Sequence, residues 1–549
     1  MADARARIAL VGDVSLTDNS RTAMLNAAAE HQWEELTRCT GSYLVIAETR
    51  GHRFICGDLA GLRSVFYVAE GGHTTWSTSA RQLADRRQAP VDLALVTAQA
   101  TVGPEYWLDR TPFVGVRAVP GGCGLLLDGA TTRVIDVEDI EPTSTLAEGA
   151  PALGAALERA VDWRMRAAGG LASADVSGGL DSSSLAVLAS EMGEVRAVTY
   201  ADAYTSTEDL AYARRVADHI NTELHVGLGG HQHLPCTWSL SQPVPPAPAA
   251  ASLAMDQYAL YLKPAAGLPV HFTGNGGDVV LDAPNAVWVG MVQAGEKKAA
   301  YRHVANWARA RNRSPRELWS VITEAATTGR AEALREAAAQ LTSGGAFGRR
   351  PGVFSWCHLG WSNNWLTPDG RHQVAELLQE AADASTPVRA DLAEQRANLR
   401  MVAADARNTV PLEAAWGVRQ THPYLDNEVV RASFSIHPAQ RRGVATFKPV
   451  LAAALPQLPT WLTSRTSKGS FTREGMAGMI ENRPRLAQLF RESVLATSGL
   501  LDAEQAVNAL AAVETTQANA LYDLHRLAMA CQWLAAFDAH GRRPLEVAC

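Results

Sequence analysis

The chain has 549 residues, room for roughly three or four domains at about 150 residues each. With 47% apolar and 19% charged residues it reads as globular, not disordered or fibrous. A net charge of -7 supplies no whole-molecule field toward nucleic acid or an anionic membrane.

Met1 to Arg5 leads into the short apolar run Ile8 to Val11, too brief for the core of a signal peptide. Short apolar runs follow at Ser42–Ala47, Phe54–Gly57, Ser64–Val68 and Gly124–Leu127, each bounded by glycine or charge. They predict a layered sheet structure over residues 1–140. A polar stretch around Pro142-Thr143-Ser144-Thr145 reads as a linker over 141–150. Beyond it the texture becomes helical, as in Ala152–Arg166 and Leu210–His219, with strands expected at Leu171–Val176 and Val195–Tyr200. Helices and strands alternating in this way predict a parallel α/β unit, carrying many added helices toward the C-terminus. Pro243-Val244-Pro245-Pro246 is a proline-rich loop.

The seven cysteines (Cys39, Cys56, Cys123, Cys236, Cys357, Cys531 and Cys549) are widely spaced and include no C-x-x-C pair. That argues against a disulfide framework and a structural zinc site. There is no apolar run of about 18 residues, so no membrane span is expected, and the compartment is expected to be cytoplasmic. Trp356, Trp361 and Trp365 form an aromatic segment, more simply read as core than as a ligand cavity. Only five of the 50 basic residues are lysine: Lys263, Lys297, Lys298, Lys448 and Lys468. Arginine and alanine enrichment from a GC-rich genome accounts for this, yet it makes each lysine worth locating.

The segment that carries chemistry is Leu171-Ala172-Ser173-Ala174-Asp175-Val176, Ser177-Gly178-Gly179-Leu180-Asp181-Ser182-Ser183, then Ser184-Leu185-Ala186-Val187-Leu188. It reads as strand, glycine-rich turn and helix. The glycines allow a tight turn close to a ligand, and the free N–H groups of the helix start favour an anion. Asp181 would repel a phosphate unless a bound Mg²⁺ took oxygen ligands from both. No G-x-x-x-x-G-K-[ST] occurs, so this is not a Walker A loop.

These residues resemble the pyrophosphate-loop ATP pyrophosphatases and, within them, the asparagine synthetase-like family. The resemblance continues in Glu208-Asp209-Leu210, in Thr273-Gly274-Asn275-Gly276-Gly277-Asp278, and in Gly417-Val418 with Pro423-Tyr424-Leu425-Asp426. Lys448 and Arg465-Thr466-Ser467-Lys468-Gly469 resemble the family's two C-terminal lysine segments, and Arg110 to Gly121 resembles the end of its glutaminase-like domain. The resemblance implies an N-terminal layered β domain of the glutaminase type (1–140) and a synthetase domain (151–549). It implies that Ser177, Gly178, Gly179, Ser182 and Ser183 hold the pyrophosphate of ATP and that Asp181 and Asp278 bind Mg²⁺. Val176, Tyr200 and Gly274 would lie along the adenine, while Lys448 and Lys468 would face the phosphates and the reacting carbonyl. A carboxylate would attack the α-phosphate, and an amine would then attack the acyl-adenylate.

Two departures narrow the reading. Amidotransferase members use an N-terminal cysteine; position 2 is Ala2 and the first cysteine is the internal Cys39, so glutamine hydrolysis is not expected. β-Lactam synthetases pair a tyrosine in the second metal segment with a glutamate of the G-V stretch. Here Asn275 and Arg419 stand there, and neither is a base near neutral pH. A peptide α-amine, with a pKa of about 7.7–8.0, needs little help. The expected member is therefore a lasso-peptide cyclase acting on a precursor peptide, with a leader-binding protein and a leader peptidase as possible partners. The alternative is a β-lactam synthetase or an ammonia-dependent asparagine synthetase-type ligase. His422 is a further candidate proton acceptor, against a simpler reading as a packing or polar contact.

Overall fold

Residues alternate strictly along the second strand, and this alternation builds the N-terminal layers. The computed structural model describes residues 1–129, 131–345, 347–348, 354–444, 447–467, 469–515 and 518–539. A five-stranded antiparallel sheet has the order β1 (Ala6–Val14), β2 (Gly41–Thr49), β3 (His52–Cys56), β7 (Cys123–Asp128) and β8 (Thr131–Asp136). A smaller antiparallel sheet has the order β5 (His73–Ser77), β4 (Val65–Glu70) and β6 (Arg117–Val119). Tyr43, Val45 and Ala47 of β2 pack toward Met24, Ala27 and Ala28 of helix α1 (Asp18–Ala29). Leu44 points the other way, against Ile55, Val65 and Val119 of the two-sheet core. Burial on both faces explains why β2 reads as a continuous apolar run. β8 stands at the sheet edge with several exposed residues, which hides it from a search for apolar runs.

Within 141–150, Thr145 caps helix α2 (Leu146–Ala167), so the second half of that polar stretch is helical. Its hydroxyl accepts from Glu148 N, and Glu148 Oε2 accepts from Thr145 N at 2.8 Å, a reciprocal capping box.

The C-terminal part is organised by a parallel sheet in the order β11 (Leu224–Leu228), β10 (Glu194–Ala201), β9 (Leu171–Asp175), β12 (His271–Phe272) and β13 (Gln420–Thr421). The chain leaves β9 outward through α3 (Leu180–Ser190), β10, α4 (Thr207–His219) and β11, then returns to the other side of β9 as β12. That reversal opens a crevice at the carboxyl ends of β9 and β12, where ligands of open α/β sheets bind. Leu153, Leu157 and Val161 of α2, Leu185 and Leu188 of α3, and Phe272 share one buried core.

The further helices α5 (Gly277–Val280), α6 (Val287–Gln293), α7 (Lys297–Ala310), α8 (Pro315–Thr327), α9 (Ala390–Trp416), α10 (Asn427–Phe434) and α11 (Pro449–Ala454) flank this sheet or extend it. A buried bidentate pair, Arg164 to Asp426 at 2.6 and 2.7 Å, joins α2 to the start of α10. The tryptophans do not share a cavity: Trp356 joins the α6–α8 core, Trp365 joins the core of the C-terminal helices, and Trp361 is 40% exposed. Among the described residues no helix is long and apolar enough to cross a membrane.

Candidate active site

The turn after β9 stays tight because nothing larger than glycine fits at position 178. Gly178 has φ +79°, and a Cβ there would stand 2.1 Å from the backbone oxygen of Asp209. Ser177 Oγ and Ser182 Oγ lie 2.9 Å apart, and Gly179 N donates to Ser177 Oγ at 3.3 Å, closing the turn over the start of α3. Gly179 is the N-cap and has no side chain to cap with, so the first-turn N–H groups of α3 receive no such partner. Ser183 Oγ, fully buried in the first turns, has no hydrogen-bond partner among the described residues. Together these groups form a donor-rich cradle for phosphate oxygens.

Opposite the turn, the end of β12 carries Gly274, whose absent Cβ would lie 2.8 Å from Ser182 N. The two loops therefore meet backbone to backbone across the crevice. Beneath them a polar chain ties β9 to β12: Ser173 Oγ lies 2.9 Å from His271 Nδ1, and His271 Nε2 lies 3.1 Å from Asp175 Oδ1. Val176 is fully buried and its N–H already donates to Val198 O at 2.8 Å, so its side chain and N–H belong to the sheet. Tyr200 turns toward the β11 side, where its hydroxyl meets Asp202 at 3.3 Å and packs against Gly229.

Three charges from three helix starts converge here. Asp181 stands in the first turn of α3, Asp278 in the first turn of α5, and Lys448 at the N-cap of α11. Lys448 Nζ donates to Asp181 and lies 2.7 Å from Asp278 Oδ1. It is 4% exposed. Burial works against its charge, but the carboxylates of Asp181 and Asp278 outweigh burial and hold its pKa above the ordinary lysine value. Lys448 is a fixed cation, not a base. Its backbone is left-handed, with φ +47°, a conformation that costs a non-glycine residue about 1–2 kcal/mol. Gly154 of α2 lets α11 come this close: a Cβ there would stand 1.9 Å from Ala454 O.

Asp181 and Asp278 form an all-oxygen pair within reach of one cation. That suits Mg²⁺, which is commonly held by one or two carboxylates with substrate phosphates completing its shell. The donor-rich turn and the carboxylate pair thus fit ATP with Mg²⁺. Lys468 lies outside the described residues.

Arg465 has a role that sequence reading missed. Its buried guanidinium donates to Gly178 O in the turn and to Asp209 of α4, and it stacks on Tyr212 with its carbon 4.3 Å from the ring centroid. Gly469 N also approaches Asp209 Oδ1, at 3.4 Å. Arg465 thereby ties the C-terminal lysine loop to the phosphate turn. An arginine within R-T-S-K-G is the only local signal, and its partners lie more than 250 residues away in sequence.

Arg419 pairs with Asp13 at the end of β1, and the backbone N–H of Asn275 donates to Thr273 Oγ1 at 3.4 Å. His422 is 4% exposed, with Nδ1 2.7 Å from Thr273 Oγ1. Burial, assisted by Arg164 and Arg63, pushes its pKa down to about 3, so it is a polar packing contact and a poor proton acceptor at neutral pH. In the N-terminal layers, burial raises the thiols of Cys39, Cys56 and Cys123 away from the reactive thiolate form.

Fold and site together define a nucleotide-binding α/β protein with a phosphate turn at the switch point of a parallel sheet. The chain belongs to the asparagine synthase family, whose model, Asparagine synthase, matches residues 152–535. The match covers the whole parallel sheet, both carboxylates and Lys448. It marks an ATP-using ligase that forms amide or other carbon–nitrogen bonds, in a family that binds ATP, usually with Mg²⁺. No curated protein shows a significant match to the chain.

Proposed function

We propose that the chain closes an isopeptide ring in a lasso precursor peptide. Ser177, Gly178, Gly179, Ser182 and Ser183 hold the pyrophosphate of ATP, with Val176, Tyr200 and Gly274 at the adenine end. A Mg²⁺ held by Asp181 and Asp278 supplies charge neutralisation on the phosphates. The side-chain carboxylate of an Asp or Glu in the peptide attacks the α-phosphate, and pyrophosphate leaves. The peptide's N-terminal amine then attacks the acyl carbon, AMP leaves, and the amine's proton passes to solvent. Lys448 and Lys468 hold positive charge beside the phosphates and the developing oxyanion. Losing one such donor typically costs about 2.7–4 kcal/mol of transition-state stabilisation.

The observation that carries this reading is Arg419, held by Asp13, which with Asn275 fills the two positions where a small-molecule amide synthetase of this family would place a base. A peptide α-amine, with a pKa of about 7.7–8.0, is neutral in a useful fraction without a dedicated base and suits such a site. A leader-binding protein and a leader peptidase would present the cleaved precursor.

The test is incubation with ATP, Mg²⁺ and cleaved precursor peptide. Pyrophosphate and a peptide lighter by one water are expected. Pyrophosphate release that follows aspartate and ammonia, or a small β-amino acid, and ignores every peptide would replace this reading with the ammonia-dependent or β-lactam-forming alternative.

A further inference from the structure

Helices α7 and α8 pack on α6, and between them lies an open groove of about 650 Å³ lined by Lys297, Lys298, Tyr301, Arg302 and Trp319. Two of the chain's five lysines therefore meet in one place that the ligase chemistry does not use. Both stand in the first turn of α7, which contains no acidic residue, where the helix dipole disfavours cations. Lys297, Lys298 and Arg302 are all exposed, and among the described residues none of the three forms an ion pair. The adjacent carboxylate, Glu296 at the N-cap of α7, forms no ion pair with them among the described residues. Arginines elsewhere on this surface commonly find carboxylates, as Arg335 does with Asp383 and Arg491 with Glu504.

Three like charges held together without an ion-pair partner among the described residues repel one another, and a rigid support keeps them so. Trp307 of α7 and Leu318 and Ile322 of α8 are buried in the core beneath. The aromatic part of the groove is also rigid: Tyr301 and Trp319 meet edge to face, with centroids 5.2 Å apart at 85°, while Tyr301 stays 41% exposed. Cations beside an exposed aromatic edge match a chain that offers carboxylates together with apolar side-chain surface.

The geometry points to a docking groove for an acidic peptide segment of a partner polypeptide. A nucleic acid fits less well, because three cations on a chain of net charge -7 leave an extended polyanion facing overall repulsion. The groove neither includes nor touches Asp181, Asp278 or Lys448, so binding here is separable from the reaction.

Fluorescence anisotropy of the full chain with a labelled peptide of alternating Glu, Asp and Ala, in the absence of ATP, tests this directly. The acidic peptide should bind, weaken as salt rises, and change the fluorescence of Trp319, a change lost in Trp319→Phe. The double variant Lys297→Glu with Lys298→Glu should weaken binding about tenfold or more, with ATP–pyrophosphate exchange unchanged. Failure of the acidic peptide to bind, equal binding by the charge-reversed variant, or tighter binding of a single-stranded oligonucleotide would each overturn the proposal. Because no nucleotide is present, its failure leaves the ligase reading untouched, and failure of that reading leaves the groove in place.

Discussion

Lys448 lies 2.7 Å from Asp278 Oδ1 while also donating to Asp181, so one buried ammonium joins the two carboxylates of the nucleotide site. Each of the three comes from a different helix start, and the backbone of Lys448 is left-handed to achieve it. A left-handed lysine at a helix N-cap is locally unfavourable, and the two carboxylates offset it.

Replacing Lys448 with Ala should lower pyrophosphate release by about 10²–10³-fold, as expected for loss of one preorganised positive donor. Arg at this position should not restore the rate, because a planar fork cannot take the place of a compact ammonium between two carboxylates. Circular dichroism should show the fold retained. Full turnover by Lys448→Ala would remove Lys448 from the site.

Arg465 holds the phosphate turn through Gly178 O and α4 through Asp209, without adding to the carboxylate pair. Arg465→Lys should keep the charge but lose the fork, raising KM for ATP about tenfold with a smaller change in kcat. An equal fall in kcat alone, with KM unchanged, would show that the clamp acts elsewhere.

Gly178→Ala brings a Cβ to within 2.1 Å of Asp209 O at a residue with φ +79°. Both objections are to backbone, so no side chain can move aside. ATP binding measured by calorimetry should weaken at least about tenfold, while Gly179→Ala should be milder, since its nearest neighbour is Ser177 Oγ at 3.3 Å. Equal effects of the two substitutions would contradict this account.

Glu413, in the last turns of α9, is 7% exposed; one of its oxygens accepts from Gln420 N at 3.2 Å and the other has no partner among the described residues. Burial is the main cause that raises its pKa from 4.5 to about 7, against the lowering effects of Gln420 N and Arg63. The unfolded chain releases this proton near 4.5, whereas the folded chain keeps it to about 7. The stabilisation is therefore full below pH 4.5 and is lost as pH rises through 7. Glu413→Gln should reduce the loss of stability between mildly acidic and mildly alkaline pH by up to about 3 kcal/mol. Urea midpoints at the two ends of that range measure it, and an unchanged pH slope would refute the assignment.

The sequence by itself determined the elements whose residues are neighbours. Leu171–Asp175, the serine–glycine turn and Leu180–Ser190 form strand, turn and helix because alternation, glycine placement and helical spacing all act over a few residues. The continuous apolar run of β2, buried on both faces, was legible in the same way, and the exposed edge strand β8 was not. Tertiary structure alone decided what meets at the crevice. It set Arg465 over Gly178, paired Arg419 with Asp13, left His422 buried beside Thr273, and turned Tyr200 toward Gly229. It also seated Lys448 between Asp181 and Asp278, because the close approach of α11 to α2 at Gly154 brings that helix start to the sheet. Local pattern is read from backbone preference and burial over a turn or two. Which charges share a site depends on the strand order β11-β10-β9-β12-β13, and that order is fixed by the packing of a core drawn from the whole domain.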